Sequence, residues 1–137
     1  MAEEIQRLTF VDSFVLIEYF RKSKKENSFF YTLLNKNFQG FPASVVVHFE
    51  IYKGANDVQM IYWDNLFEDI LIVPYNQSMN KKSLGIYQQL KKARKSIEFQ
   101  DLIIAATALF SNSPLATINK KHFENIEGLE LITPAAI

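Results

Sequence analysis

The sequence predicts an α/β protein in which a parallel sheet is covered by helices on both faces. Three observations carry that expectation. Short strand-like segments alternate with helix-length segments along the chain. The strand candidates, such as Ile70-Leu71-Ile72-Val73 and Leu115-Ala116-Thr117-Ile118, are mostly apolar rather than alternating, as strands buried on both faces are. The 137 residues hold only four glycines and four prolines, with no repeat or linker, which predicts one domain over 1–137.

Arg7 to Val11 reads as a first buried strand, ended by Asp12-Ser13, either of which can cap a following helix. Phe14, Ile17, Tyr19 and Phe20 continue at mostly helical spacing. A second helix is predicted from about Glu26 to Asn37, with Phe29, Phe30, Leu33 and Leu34 as its apolar stripe. Gly40-Phe41-Pro42 breaks it, and after a short extended piece Ser44 can cap a third helix that stops at Gly54. A fourth helix covers Asn56 to Phe67. Ile70 to Val73 is a strand closed by Pro74, and Asn76 to about Lys95 is a long polar helix. Asp101 to Phe110, entered through Gln100-Asp101, is apolar nearly all round and therefore central. Leu115 to Ile118, Lys120 to Asn125 and Leu129 to Ile132 complete the pattern as strand, short helix and strand.

Composition removes several chemistries. There is no cysteine, so disulfides, thiolate-zinc sites and cysteine nucleophiles are excluded, and a reducing compartment fits. Met1-Ala2-Glu3-Glu4 is acidic with no long apolar run after it, and the apolar stretch around Leu102 to Phe110 is too short for a bilayer. A cytoplasmic protein without a membrane partner is expected. Fifteen basic residues balance fifteen acidic ones, unlike a strong non-specific nucleic-acid binder. The bases are nonetheless clustered, in Arg21-Lys22-Ser23-Lys24-Lys25 and in Lys81, Lys82, Lys91, Lys92, Arg94 and Lys95. Such patches can steer a polyanion or simply form solvated helix faces. Twelve phenylalanines and six tyrosines indicate an aromatic core, or a partner-binding surface among Phe29, Phe30, Tyr31, Phe38 and Phe41.

Sites in open parallel sheets form beyond the carboxyl ends of the strands. That places weight on Asp12, on Asp101 at a helix start, on Asn119 after the strand Leu115–Ile118, and on Glu50 within the apolar helix Val45–Tyr52. Taken singly, Asp12 and Asp101 are equally well helix caps, and Glu50 could pair with a lysine. Three acids from separate elements on one rim repel one another unless a cation neutralises them. Oxygen donors without cysteine or clustered histidine suit Mg²⁺ or Mn²⁺ rather than zinc. The chemistry then expected is hydrolysis of a phosphodiester by an activated water. His48 and His122 have no metal-ligand spacing, and His48 reads as structural. Glu98 reads as surface charge, and Trp63 with Tyr62 and Phe67 as core or subunit interface. No glycine loop for phosphates is present.

Four blocks carry a family resemblance. Phe10-Val11-Asp12-Ser13-Phe14-Val15 closely resembles the opening of PIN-domain toxins of the VapC type. Ser44 to Ala55, with Glu50 before Gly54-Ala55, is similar to their second block. Asp101-Leu102-Ile103-Ile104-Ala105-Ala106-Thr107-Ala108 resembles the third, and Leu115 to Asn119 with His122-Phe123 and Gly128-Leu129 the fourth. The blocks occur in order across essentially the whole chain. The resemblance implies a PIN-like three-layer fold with a central five-stranded parallel sheet flanked by helices. It also implies Mg²⁺- or Mn²⁺-dependent endoribonuclease activity on RNA, frequent homodimerisation and a cognate antitoxin. On it, Asp12, Glu50 and Asp101 are metal ligands, Ser13 orients Asp12 or a bound water, and Thr117 supports Asn119. Many relatives carry an aspartate where this chain has Asn119, so any second cation would be held more weakly. Two other readings stand beside this one. One is a PIN-fold interaction module without activity. The other is a small-molecule phosphohydrolase, which the missing acid two residues after Asp12 disfavours.

Overall fold

The computed structural model describes residues 7–36 and 38–136. Five short parallel strands, β1 (Phe10–Val11), β2 (Ala43–Ser44), β3 (Ile72–Val73), β4 (Leu115–Ala116) and β5 (Leu131–Ile132), alternate with six helices. The helices are α1 (Ser13–Arg21), α2 (Phe29–Leu34), α3 (Val45–Lys53), α4 (Asp57–Phe67), α5 (Gln77–Lys92) and α6 (Phe99–Phe110). The α/β class is as the sequence predicts.

The predicted continuous five-stranded sheet is not observed. The strands form a three-stranded sheet, ordered β1-β4-β5, and a separate β2-β3 pair. Thr9 donates to the Gly40 carbonyl at 3.0 Å and Val11 to that of Pro42 at 3.2 Å, so β1 does lie against the segment leading into β2. Pro42 has no N–H to return, and the ladder between the two sheets is interrupted there.

Local chemistry explains most helix boundaries. Asp12, Ser28, Ser44, Asn56 and Asn76 each accept a backbone N–H at the start of the helix that follows. Asn56 and Gln59 complete a reciprocal capping box. The predicted helix from Glu26 is shorter than expected. A 3₁₀ turn, Lys25–Asn27, precedes α2, and Asn37, the last residue predicted for it, lies outside the described residues. Lys25, one of the basic cluster near the start of the chain, has a structural partner. Its Nζ donates to the carbonyls of Tyr19 and Phe20 at 2.6 and 2.7 Å and closes the end of α1.

One apolar cluster joins both sheets to the helices, with Val11, Val15, Leu16, Leu33, Val47, Ala105, Ala106, Leu115 and Ala116 fully buried. Every residue of α6 from Leu102 to Ala108 is buried, as its all-round apolar sequence predicts. α5 packs along it. The aromatic surplus is mainly core. Phe29, Phe30 and Trp63 are buried, Phe38 and Phe41 pack on them or their neighbours, and only Tyr31 of that predicted group is exposed. No described helix is long and apolar enough to cross a membrane.

Helix α5 ends in a Schellman motif. Lys95 N–H reaches the Leu90 carbonyl at 2.9 Å and Arg94 N–H that of Lys91 at 3.1 Å. This puts Arg94 in the left-handed region, φ 56°, where a side chain costs about 1 kcal/mol. Replacing Arg94 with glycine is expected to stabilise the fold by about 0.5–1 kcal/mol, read as a higher denaturant midpoint at unchanged slope. A lower midpoint would show that the Arg94 side chain contributes more than its backbone strain removes.

Candidate active site

The site is assembled by strand pairing. Parallel registration of Phe10 with Leu115 and of Val11 with Ala116 carries the strand ends Asp12 and Thr117 to adjoining positions, and Asp12 N–H donates to the Ala116 carbonyl at 3.3 Å. Asp12 is 4% exposed. One carboxylate oxygen, Oδ1, accepts Val15 N–H at 3.1 Å and caps α1, while Oδ2 accepts a short hydrogen bond from Thr117 Oγ1. Asn119 N–H donates to that same Thr117 oxygen at 2.9 Å, so the hydroxyl proton is left to point at Asp12. Burial nevertheless dominates and pushes the Asp12 carboxyl up to about 6, with nearby Asp101 adding to the rise.

Five of the six predicted site residues line one cavity of about 280 Å³: Asp12, Ser13, Glu50, Asp101 and Asn119. Thr117 is fully buried behind it and acts through Asp12 and the Asn119 backbone. Ser13 is placed by the start of α1, and of the two roles expected for it, orienting Asp12 or a bound water, the first is not the one seen. Its Oγ donates to Glu50 Oε1 at 2.5 Å, and Thr117 rather than Ser13 orients Asp12. Asp101 is likewise no N-cap. α6 begins two residues earlier, Glu98 holds the cap position without a capping side-chain bond, and Asp101 sits in the first turn.

Two lining residues go beyond the sequence-based expectation. Glu98, exposed as its reading as surface charge expects, also lines the same cavity, and His122 places Nδ1 3.2 Å from Asp101 Oδ2. His122 lies three residues after Asn119 on the 3₁₀ turn Lys120–His122, and that proximity to the β4 end is the sequence signal that points to it. Burial raises the Asp101 pKa, His122 opposes that rise, and the charges of Glu50 and Glu98 add to it. His48 is structural, as expected, packed at a tilt against Tyr52 and Phe67 at 4.6 and 5.1 Å, with those two rings also 5.7 Å from each other.

The lining residues include four carboxylates and neither lysine nor arginine. The four carboxylates, with His122 beside Asp101 the only histidine among the lining residues, make an oxygen-dominated donor set that fits a hard divalent cation in kind. Among the described residues, no three acids or histidines are yet gathered into a ligating cluster, so binding requires side chains to turn inward.

Acids gathered at the carboxyl end of parallel strands define an α/β protein with a carboxylate-centred site. Comparison with known proteins gives that class a family. No protein-family model matches the chain. It is 33% identical over 118 residues to ribonuclease VapC1 of Methanocaldococcus jannaschii, covering 85% of this chain and 79% of that one. Among solved structures it is similar to VapBC-1 of nontypeable Haemophilus influenzae, with a TM-score of 0.77 at 25% identity over 92% of this chain and 97% of that one. A DNA-bound VapBC of Salmonella typhimurium superposes with a TM-score of 0.82 at 16% identity, covering 93% and 98% of the two chains. The chain belongs to the VapC family of PIN-domain proteins.

The raised Asp12 pKa has a stability consequence. A carboxyl that titrates near 6 when folded and near 3.8 when unfolded favours the fold in its protonated form, fully below pH 4, and loses that contribution as pH rises through 6. Without divalent cations the protein is expected to lose stability from this group between about pH 4 and 7, on the order of 3 kcal/mol. Asp12→Asn, which can still cap α1, is expected to remove most of that slope and to melt higher than the native chain at pH 7.5. A lower melting temperature would make capping and the Thr117 bond the dominant role of Asp12.

Proposed function

We propose that the chain is a Mg²⁺- or Mn²⁺-dependent endoribonuclease, the toxin of a toxin–antitoxin pair. The single observation that carries this reading is the clustering of Asp12, Glu50, Asp101 and Glu98 around one cavity with no lysine or arginine among its lining residues. The name of the archaeal relative, a ribonuclease, and the VapBC complexes among the structural neighbours support it.

Asp12, Glu50 and Asp101 would hold the cation, and Asn119 could add a neutral oxygen. A bound divalent ion would offset the carboxylate charge, acidify a water and polarise the phosphodiester. The protein's part is positional. Thr117 fixes the Asp12 carboxylate, Ser13 fixes Glu50, and His122 holds Asp101. RNA is the substrate on this reading, a cognate antitoxin and a second copy of the chain are its protein partners, and the cytoplasm is its place of action.

The basic cluster of α5 divides into two parts. Lys81 and Lys82 adjoin Leu109 and Phe110 at the far end of α6, ~13 Å along its axis from Asp101. Lys91, Lys92 and Arg94 lie where α5 turns back into the acidic start of α6, and these would hold the RNA backbone. A catalytically silent module is the second reading, favoured by Asn119 and by the open arrangement of the acids.

One comparison separates the two. Total RNA incubated with Mg²⁺ or Mn²⁺ is expected to give discrete fragments with the native chain, none with EDTA, and at least about 100-fold less with Asp12→Asn. Equal cleavage by both proteins would remove Asp12 from the chemistry, and no cleavage by either would favour the silent module.

The charge-reversal pair Lys91→Glu and Arg94→Glu is expected to weaken RNA binding about tenfold or more while leaving Mn²⁺ affinity, read by calorimetry, nearly unchanged. Undiminished RNA affinity would take the end of α5 out of the binding surface.

A further inference from the structure

A second cavity, of about 230 Å³, abuts the carboxylate cavity and is lined by Phe14, Ile17, Glu18, Arg21, Lys22 and Ile118. Two pairs of consecutive residues join them. Ser13 faces the acids, and Phe14 is shared by both cavities. Asn119 faces the acids, and Ile118 faces the second cavity. One aromatic ring is thus a common wall. That ring is half exposed, 49%, although it sits at the rim of a polar site where water would favour a polar side chain.

The rest of the lining has a consistent chemistry. Ile17 and Ile118 make the walls apolar. Arg21 and Lys22 stand at the end of α1, exposed and without ion-pair partners among the described residues. Glu18 offsets one of the two cations, its Oε1 held in place by the Phe29 N–H at 2.8 Å, and the lining keeps an excess of positive charge. A flat apolar slot with an aromatic face, cations at one end and a carboxylate cavity at the other matches the repeat of a nucleic acid, which is base, backbone phosphate, base. An apolar protein side chain would use the walls alone. It would give no reason for the two cations, or for continuity with the acids.

Resting on the nuclease reading above, we infer that this cavity is a nucleobase subsite. The base of the nucleotide next to the scissile phosphate stacks on Phe14 between Ile17 and Ile118, and Arg21 and Lys22 take the phosphate beyond it. Stacking on a π-face is tolerant of sequence, so the subsite positions single-stranded RNA in the cleft.

The test uses the Asp12→Asn chain, which keeps the α1 cap and is expected to prevent turnover, and a short mixed-sequence single-stranded RNA. Adding Phe14→Ala is expected to weaken RNA binding about 5- to 100-fold, with Phe14→Tyr restoring most of it. Phe14→Trp is expected to give tryptophan fluorescence that RNA quenches, against a background from Trp63, which is buried in the aromatic core. Replacing Arg21 and Lys22 with glutamine is expected to lower the slope of log affinity against log salt by about 0.7 for each phosphate no longer neutralised, whereas Phe14→Ala leaves the slope unchanged. If the parent binds RNA and Phe14→Ala binds it equally well, the subsite is overturned while the nuclease reading stands. That outcome, together with loss of a bound antitoxin, would assign the cavity to a protein partner. If the parent fails to bind RNA and the native chain fails to cleave it, both fall together.

Discussion

The buried hydrogen bond between Thr117 and Asp12 is the constraint on which the site depends, and it exists because β1 pairs with β4 in register. Two strands of two residues each are a slight scaffold. Their ends are fixed by side chains as well as by the ladder: Asp12 accepts from Thr117 and from the first turn of α1, and Thr117 in turn accepts from Asn119. One carboxylate therefore joins strand, helix and the following loop. A buried acid without these donors would cost several kcal/mol, and with them it still titrates near 6.

The other acids are held by different means, and the difference matters. Glu50 comes from α3 and is reached by the Ser13 hydroxyl, so α1 positions two carboxylates from consecutive residues, one at its cap and one through its first side chain. Asp101 rides on the first turn of α6, where the helix dipole favours negative charge, and it is balanced by His122. Packing gives α6 its rigidity, since seven consecutive residues are buried. The cleft thus combines a closely packed floor with acids that repel one another at its mouth. This is the usual conflict of a charged site with fold stability, and on the proposed function a bound cation would resolve it by mass action.

Much of this is legible in the sequence because the signals are local. The cap at Asp12 or Ser13, the cap at Ser44, the helix starts at Asn56 and Asn76, which the structure makes caps, and the apolar run of α6 each announce themselves within a few residues. The acids and the amide expected to converge are readable as strand and helix positions, and Asp12, Glu50, Asp101 and Asn119 do share one cavity. What is not legible depends on distance or on a boundary. The separation of β1 from β2 turns on a single missing N–H at Pro42. Glu98 is exposed, as its reading as surface charge has it, and nothing in its local sequence tells that the surface it occupies is a wall of the cleft. Ser13 has two acids within reach, and no spacing rule tells which it bonds.

Asn119 serves the site through two separate parts, its backbone and its side chain. The structural contribution of position 119 comes from its backbone, whose N–H fixes the Thr117 hydroxyl and so the direction of its bond to Asp12. Exchange of carboxylate for amide at the side chain leaves that relay intact and alters only charge. The charge is also not scarce, because Glu98 brings a fourth carboxylate to the same cavity and already acts on Asp101. Geometry and charge at this edge of the cleft are therefore carried by different atoms, one by an amide proton and the other by side chains from a separate helix. A substitution that would disable a site in which one residue supplied both leaves this one with its framework unchanged.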